Sequence, residues 1–185
     1  MSKSDSTPIA NVFLHCPRCG VAHSNVGQNP FRCSDCEFVM YFSPVAAVGA
    51  IIRDAQNNIL FLVRGKDPGK GKLGLPGGFA DAGETLEASL RREVLEETSL
   101  VVQDIRYLCS FPNQYAYRGV MVEVLDSFFV CSVESFDPLT AQAGEVEGFR
   151  FEEPTQSTLQ ELAFKSNRKA IEFFMESTRH DITPA

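Results

Sequence analysis

No apolar run in the 185-residue chain approaches the roughly 20 residues that a membrane span requires, so no membrane partner is expected. The opening stretch from Met1 to Ala10 is polar and lacks the basic-then-apolar order of a secretory signal, which makes the cytoplasm the expected location. Positive charge is scarce. Seventeen Lys and Arg stand against 24 Asp and Glu, a formal net charge of -7. Affinity for a polyphosphate backbone rests on clustered Lys and Arg, so the charge argues against a generic nucleic-acid binder and a nucleic-acid partner is not the expectation. A small nucleotide is not excluded, because a site that holds a divalent metal brings its own positive charge and asks the protein only for carboxylates. Internal repeats are missing, and tryptophan is absent altogether.

What is present begins with cysteine. Four of the six form two pairs, Cys16-x2-Cys19 and Cys33-x2-Cys36, separated by 13 residues, while Cys109 and Cys131 stand alone in apolar surroundings and read as buried thiols. Two such knuckles have the spacing of a tetrahedral thiolate site, which points to Zn²⁺; the disulfide alternative needs an oxidising compartment that the N-terminus does not indicate. A module of about 30 residues cannot bury enough apolar surface to fold unaided, and bound zinc would supply the missing free energy. With every position filled by sulfur, such an ion is structural. His15 and His23 flank the first knuckle and read as ordinary polar residues. Arg18 and Arg32 are balanced by Asp35 and Glu37, so the ribbon carries no basic patch, and packing or homodimerisation is its expected use.

Residues 1–11 read as a disordered tail, 12–42 as the zinc ribbon, 43–178 as the main domain and 179–185 as a second tail. In the main domain, the strand at 45–53 and the strand at 59–64 read as a hairpin across the Asp54 to Asn58 turn. The segment 66–83 is so dense in Gly and Pro that regular structure is not expected there. Helical composition follows from about Thr85 to Thr98, with Leu86, Leu90 and Val94 stacked to face a core. Strands return at 101–111, 120–133 and 146–151. The stretch 156–177 reads as one or two helices packed through Leu159, Leu162, Ala163, Ile171, Phe173 and Phe174. This order implies an α/β (α+β) fold, a mixed sheet flanked by helices.

The chemistry concentrates on the helix. At 100° per residue, Glu93, Glu96 and Glu97 fall within an arc of about 100° beside the apolar stripe. An exposed acidic face is the ordinary reading of such a run. Here the run follows a Pro-Gly-Gly loop, and carboxylates so close repel one another unless a cation sits among them; hard oxygen ligands favour Mg²⁺ or Mn²⁺ over Zn²⁺.

Gly78, Glu84, Arg92, Glu93, Val94, Glu96, Glu97 and Leu100 fall in register with the pattern G-x5-E-x7-R-E-U-x-E-E-x-G-U, U being aliphatic, and the segment resembles the Nudix box. The one departure is Ser99, where the pattern has Gly. The resemblance implies a Nudix-type fold in which Glu93, Glu96 and Glu97 hold divalent ions, with the Gly77 carbonyl as a further ligand. It implies that Glu84 supports the loop or holds a water and that Arg92 orients a glutamate. Glu145 resembles the position where some members place a late metal-side glutamate; simple alternation, with Val146 inward and Glu145 and Glu147 in solvent, is the competing reading. A zinc ribbon ahead of such a domain is similar to the group of NADH, FAD and ADP-ribose pyrophosphatases. The NADH-cleaving members carry a downstream signature with Trp, which this chain lacks, so NADH specificity is not expected. Phe111, Tyr115 and Tyr117 are candidates to stack on a base, with Asn113 and Gln114 at its edge, and Phe79 is a candidate substrate wall.

The resemblance thus implies a Nudix-type hydrolase that cuts the diphosphate of a nucleoside diphosphate linked to another group, of the ADP-ribose, FAD or dinucleotide type. Two alternatives stay open: removal of a nucleotide cap from RNA, including an NAD cap, and a non-catalytic, ligand-sensing zinc-ribbon adaptor.

Overall fold

The structure, a computed structural model, describes residues 6–180. Of the two tails expected from the sequence, residues 1–5 and 181–185 lie outside the described residues. The chain divides into two compact units, Met1–Val45 with Gln114–Val124 and Ala46–Asn113 with Leu125–Ala185. No described helix is long and apolar enough to cross a membrane.

In the first unit, β1 (Thr7–Pro8) runs into a 3-10 turn over Ile9–Val12, so regular structure starts ahead of residue 12. β1 pairs in parallel with the start of the later strand β8 (Val120–Val133), Thr7 opposite Val120. Two short strands, β2 (Phe31–Arg32) and β3 (Val39–Met40), form an antiparallel ribbon with Phe31 opposite Met40. Cys16, Phe31 and Cys33 make a small core of their own, covered by Phe13, Val21, Phe38, Met40 and Phe42.

The second unit holds β4 (Val45–Ile52), β5 (Ile59–Arg64), β6 (Leu73–Gly74), α1 (Leu86–Thr98), β7 (Val102–Tyr117), β8, β9 (Val146–Glu152), α2 (Gln156–Glu161) and α3 (Lys165–His180), apart from the strand ends that belong to the first unit. β4 and β5 are not the hairpin their sequence suggests. β4 pairs with β8, which also pairs with β7, whereas β5 lies between β6 and β9 in a separate sheet, and the ends of β4 and β5 are linked by an isolated Arg53–Ile59 bridge and the Asp54 N–H to Asn58 O bond. In the turn Asp54 accepts from the backbone of Gln56 and Asn58 and from the Asn58 side chain, and Asn57 takes φ 66°; beyond the Arg53–Ile59 bridge β5 forms its ladders with β6 and β9 instead.

Side chains alternate along the strands to build two apolar layers. Val48, Ala50, Ile52 and Leu60 pack with Leu90, Val94 and Leu100 of the α1 region, and Ile51, Ile59 and Phe61 pack with Leu159, Leu162, Ile171 and Phe174 of α2 and α3. Phe173, expected in that packing, is exposed: Ala170, Ile171 and Phe174 form the packed stripe of α3, and Phe173 lies outside it.

α1 is bounded as its sequence requires. The Thr85 hydroxyl accepts from the Ala88 N–H at 3.1 Å, and Ser99 closes the helix in the left-handed region at φ 62°. A Cβ in that region is strained. Ser99→Gly is therefore expected to raise stability by about 1 kcal/mol, seen as a rise in Tm of roughly 2–4 °C.

The start of α3 is tied down by a buried acid. Asp126 on β8 is 8% exposed and accepts from the Ser166 hydroxyl and from Asn113 on β7. Burial pushes its pKa up, against the pull of those two hydrogen bonds. A raised carboxyl contributes stability below its ordinary pKa and loses it as pH rises through the folded-state value. Asp126→Asn, neutral at every pH and still an acceptor, is expected to be more stable than the parent at pH 7 by roughly 1 kcal/mol and no more stable at pH 3, as read by urea denaturation.

Candidate active site and cysteine centre

The glycine-rich segment ahead of α1 is more regular than its composition suggests. Besides β6, the stretch 76–80 runs antiparallel to β4: the Ala50 N–H donates to Pro76 O, Val48 N–H to Gly78 O and Ala80 N–H to Ala46 O. Gly77 sits between these bonds and turns its own N–H to Glu97 Oε2 at 2.8 Å. Two glycines are needed here. A Cβ on Gly77, at φ 143°, would lie 2.1 Å from the Val48 carbonyl oxygen, and one on Gly78 would lie 2.6 Å from the Glu93 carboxylate.

Against this floor α1 presents its acids. Arg92 donates from Nε and Nη2 to the two oxygens of Glu84, each at 2.9 Å, and from Nη1 to Glu93 at 2.8 Å and Glu96 at 3.4 Å. Its Nη2 also reaches the Phe79 carbonyl at 3.1 Å. Glu84 in turn accepts from the Ser89 hydroxyl at 2.7 Å and the Asp81 N–H at 3.1 Å, which braces the loop. The Arg92 guanidinium holds the Glu84 carboxyl down at about 2.

The remaining acids differ by depth. Glu97 is buried, and burial, with the charges of Glu93 and Glu145 added, pushes its pKa up to about 8 despite the Gly77 N–H and the Arg64 charge. Glu93 is also raised, by burial first, against Arg92. Glu96 lies at the exposed rim. Glu145 is half-exposed, ion-paired to Lys66 at 2.5 Å, and close enough to raise both Glu93 and Glu97; its neighbour Val146 is buried. Arg64 and Lys66 escaped the sequence reading. Arg64 ends β5, where it read as an ordinary strand residue, and Lys66 begins the segment set aside as irregular.

The substrate candidates separate. Phe79 is exposed beside the loop, and Phe111 faces the Lys169 ammonium at 5.6 Å, both in the second unit. Tyr115 and Tyr117 belong to the first unit, where Arg118 lies over the Tyr117 ring at 5.3 Å.

The cysteines converge. Cys16 Sγ lies 3.7 Å from Cys36 Sγ and Cys19 Sγ 3.6 Å from Cys33 Sγ, and all four sulfurs lie within 4.8 Å of one another. These separations match the edge of a tetrahedron with metal–sulfur bonds of about 2.3 Å, and are far from the roughly 2.05 Å of a disulfide. Among the described residues this is the one group of three or more His, Cys, Asp or Glu whose ligand atoms gather closely enough for a single ion. His15 pairs through its backbone with Ala22, and His23 packs on Phe31 at 4.3 Å. Cys109 and Cys131 are buried, and burial pushes their thiols up to about 11 and 12.

Comparison with known proteins gives these features a context. The NUDIX domain family model matches residues 43–174. An ADP-ribose pyrophosphatase of Methanocaldococcus jannaschii is 43% identical over 91 residues, covering 48% of this chain and 53% of that protein. The NAD-capped RNA hydrolase NudC of Vibrio cholerae is 36% identical over 119 residues, covering 64% of this chain and 44% of that protein. The chain thus spans about half the length of these curated relatives. Among solved structures, a NUDIX hydrolase from Nitrosomonas europaea shares the fold with a TM-score of 0.68 at 24% identity, covering 92% of this chain and 94% of that one. The NUDIX domain of Shewanella oneidensis NrtR, solved with ADP ribose, gives a TM-score of 0.59 at 27% identity, covering 74% and 89%.

Proposed function

Because the chain belongs to the Nudix family, we propose that it hydrolyses the diphosphate bond of a nucleoside diphosphate joined to a second group, of the ADP-ribose, FAD or dinucleotide type. The observation that carries this reading is the pair of a buried Glu97 and a half-buried Glu93, set against the Cβ-less Gly77–Gly78 floor, both carboxyls raised by burial and by neighbouring acids despite Arg92 and Arg64. Such a donor set, all oxygen and mutually repelling, fits a hard divalent cation, Mg²⁺ or Mn²⁺, and disfavours a softer one.

Glu93, Glu96, Glu97, the Gly77 carbonyl and Glu145 would hold the ions. Divalent ions held there would supply charge to neutralise the diphosphate and would lower the pKa of a water so that, once deprotonated, it can attack phosphorus. The protein's own contribution is orientation. Arg92 fixes Glu93 and ties it to Glu84, and Glu84 fixes the loop. The Gly77 N–H occupies one oxygen of Glu97 and leaves the other for the site. With four thiolates at tetrahedral separations, the ribbon at 12–42 would hold Zn²⁺ in a structural role, apart from the hydrolytic domain at 43–178.

The relatives' names, an ADP-ribose pyrophosphatase and an NAD-capped RNA hydrolase, share a nucleoside diphosphate linked onward. The test is a substrate panel of ADP-ribose, FAD, NADH, a dinucleoside polyphosphate and an NAD-capped oligonucleotide, each with Mg²⁺ or Mn²⁺. Cleavage of a small-molecule member into two phosphate monoesters is expected. Cleavage of the capped oligonucleotide alone transfers the assignment to RNA, and cleavage of none leaves the adaptor reading.

A further inference from the structure

The chain that leaves β5 is built to lie against Glu145. Along the β5–β9 ladder Val63 stands opposite Gly148 but Arg64 stands opposite Val146, so Glu147 is skipped at the start of β9. A slip of that kind re-aims the side chains beside it. The approach is close: the Gly65 N–H donates to Glu145 O at 2.7 Å, and a Cβ on Gly65 would lie 3.0 Å from the Glu145 carbonyl carbon. Past this point the loop closes on itself, with the Gly71 N–H donating to Arg64 O and the Lys72 N–H to Gly69 O. Lys66, the residue after Gly65, is thereby delivered to the Glu145 carboxylate, Nζ to Oε1 at 2.5 Å.

Glu145 has a second set of neighbours. Burial raises the carboxyls of Glu93 and Glu97, and the charge of Glu145 raises both further. One carboxylate therefore interacts with a cation of the loop and with the acids of α1. Its pair with Lys66 is open to water, the two side chains being 50% and 37% exposed, and a pair so open holds its partners weakly. A divalent ion at the same distance exerts twice the Coulomb attraction of an ammonium.

We propose that Lys66 is a phosphate-binding residue, kept on Glu145 until that carboxylate turns to a divalent ion and then free to reach the diphosphate of the substrate. The four-carbon stem of lysine lets the ammonium change partner while Gly65 stays anchored. In the metal-free protein the same ammonium neutralises one of the acids that the site gathers. The inference rests on the divalent-metal hydrolase reading above, and its experiment measures binding rather than turnover.

The experiment is calorimetric titration of the zinc-loaded full chain with Mn²⁺, followed at saturating Mn²⁺ by α,β-methylene ADP, a nucleoside diphosphate whose bridge resists hydrolysis. Lys66→Met is expected to bind Mn²⁺ about threefold more tightly, because Glu145 has lost its competing partner, and the analogue about tenfold more weakly, for want of one charge-assisted contact to phosphate. Lys70→Met is the control: it removes the same charge from the same loop, but Lys70 pairs with Glu147 at 3.2 Å, and both constants should stay within about twofold of the parent. Glu145→Gln should weaken Mn²⁺, and adding Lys66→Met to it should bring no recovery. Either constant unmoved in Lys66→Met overturns the proposal. So does an equal shift in Lys70→Met, the result of general charge alone, or a gain in Mn²⁺ affinity that persists beside Glu145→Gln. A parent that binds no Mn²⁺ removes the divalent-metal reading and this inference together. Mn²⁺ binding indifferent to Lys66 removes this inference alone, and the full pattern in a chain that cleaves nothing removes the hydrolase reading alone.

Discussion

Glu97→Gln is expected to lower kcat on the cleaved panel substrate by about 10²- to 10⁴-fold, the range for loss of a carboxylate that moves a proton or holds a catalytic ion. The same substitution should stabilise the chelator-treated protein. Glutamine still accepts from the Gly77 N–H, and it removes a buried charge that the fold holds at a pKa of about 8. The raised value means that Glu97 contributes stability below its ordinary pKa of 4.5, and that this is lost as pH rises through about 8. Above that pH the variant should gain roughly a few kcal/mol over the metal-free parent, and at pH 4 almost nothing. Steady-state rates with Mg²⁺ and denaturant titrations in EDTA read the two effects separately. A variant as fast as the parent ends the claim that this helix carries the chemistry; one that is slow and also less stable at pH 9 shows that the carboxylate is doing structural work instead.

Removal of zinc should have the other large effect. The ribbon has a core of three buried residues, Cys16, Phe31 and Cys33, two of them sulfur ligands in the proposed site, so little holds it without the ion. Structural zinc sites contribute on the order of 10–16 kcal/mol. Cys33→Ser, or exhaustive chelation, is therefore expected to collapse the ribbon: zinc falls from about one per chain to none, and the amide resonances of Phe31 to Met40 lose their dispersion. A metal-free chain that keeps those resonances in place contradicts the zinc assignment.

α1 could be read from the sequence almost to the residue, since Thr85, the Leu90–Val94 spacing and the left-handed Ser99 each carry a local physical signal. Strand partnership could not. Periodicity gives the faces of β4 and β5 but says nothing of which edge meets which, and the partners, β8 for β4 and β6 and β9 for β5, lie far away in sequence or in a glycine-rich stretch. The 76–80 stretch was hidden for a related reason: its order comes from backbone bonds to β4, to which glycine and proline composition is blind. The acids of α1 were visible as a set, yet their division into a buried Glu97 and a rim Glu96 depends on the floor beneath them.

That stitched floor also apportions mobility. The residues whose composition suggests the loosest chain, Pro76 to Ala80, are bolted to β4 by three backbone bonds and to α1 by a fourth, and their partners' amides should be among the slowest to exchange with solvent. Residues 65–72 are held by backbone bonds as well, Gly65 N–H to Glu145 O, Gly71 N–H to Arg64 O and Arg64 N–H to Lys72 O, and they add two exposed ion pairs, Lys66–Glu145 and Lys70–Glu147. Latches of that kind weaken as counterions accumulate. Those two pairs therefore respond to ionic strength, while the backbone bonds of 65–72 and of 76–80 do not.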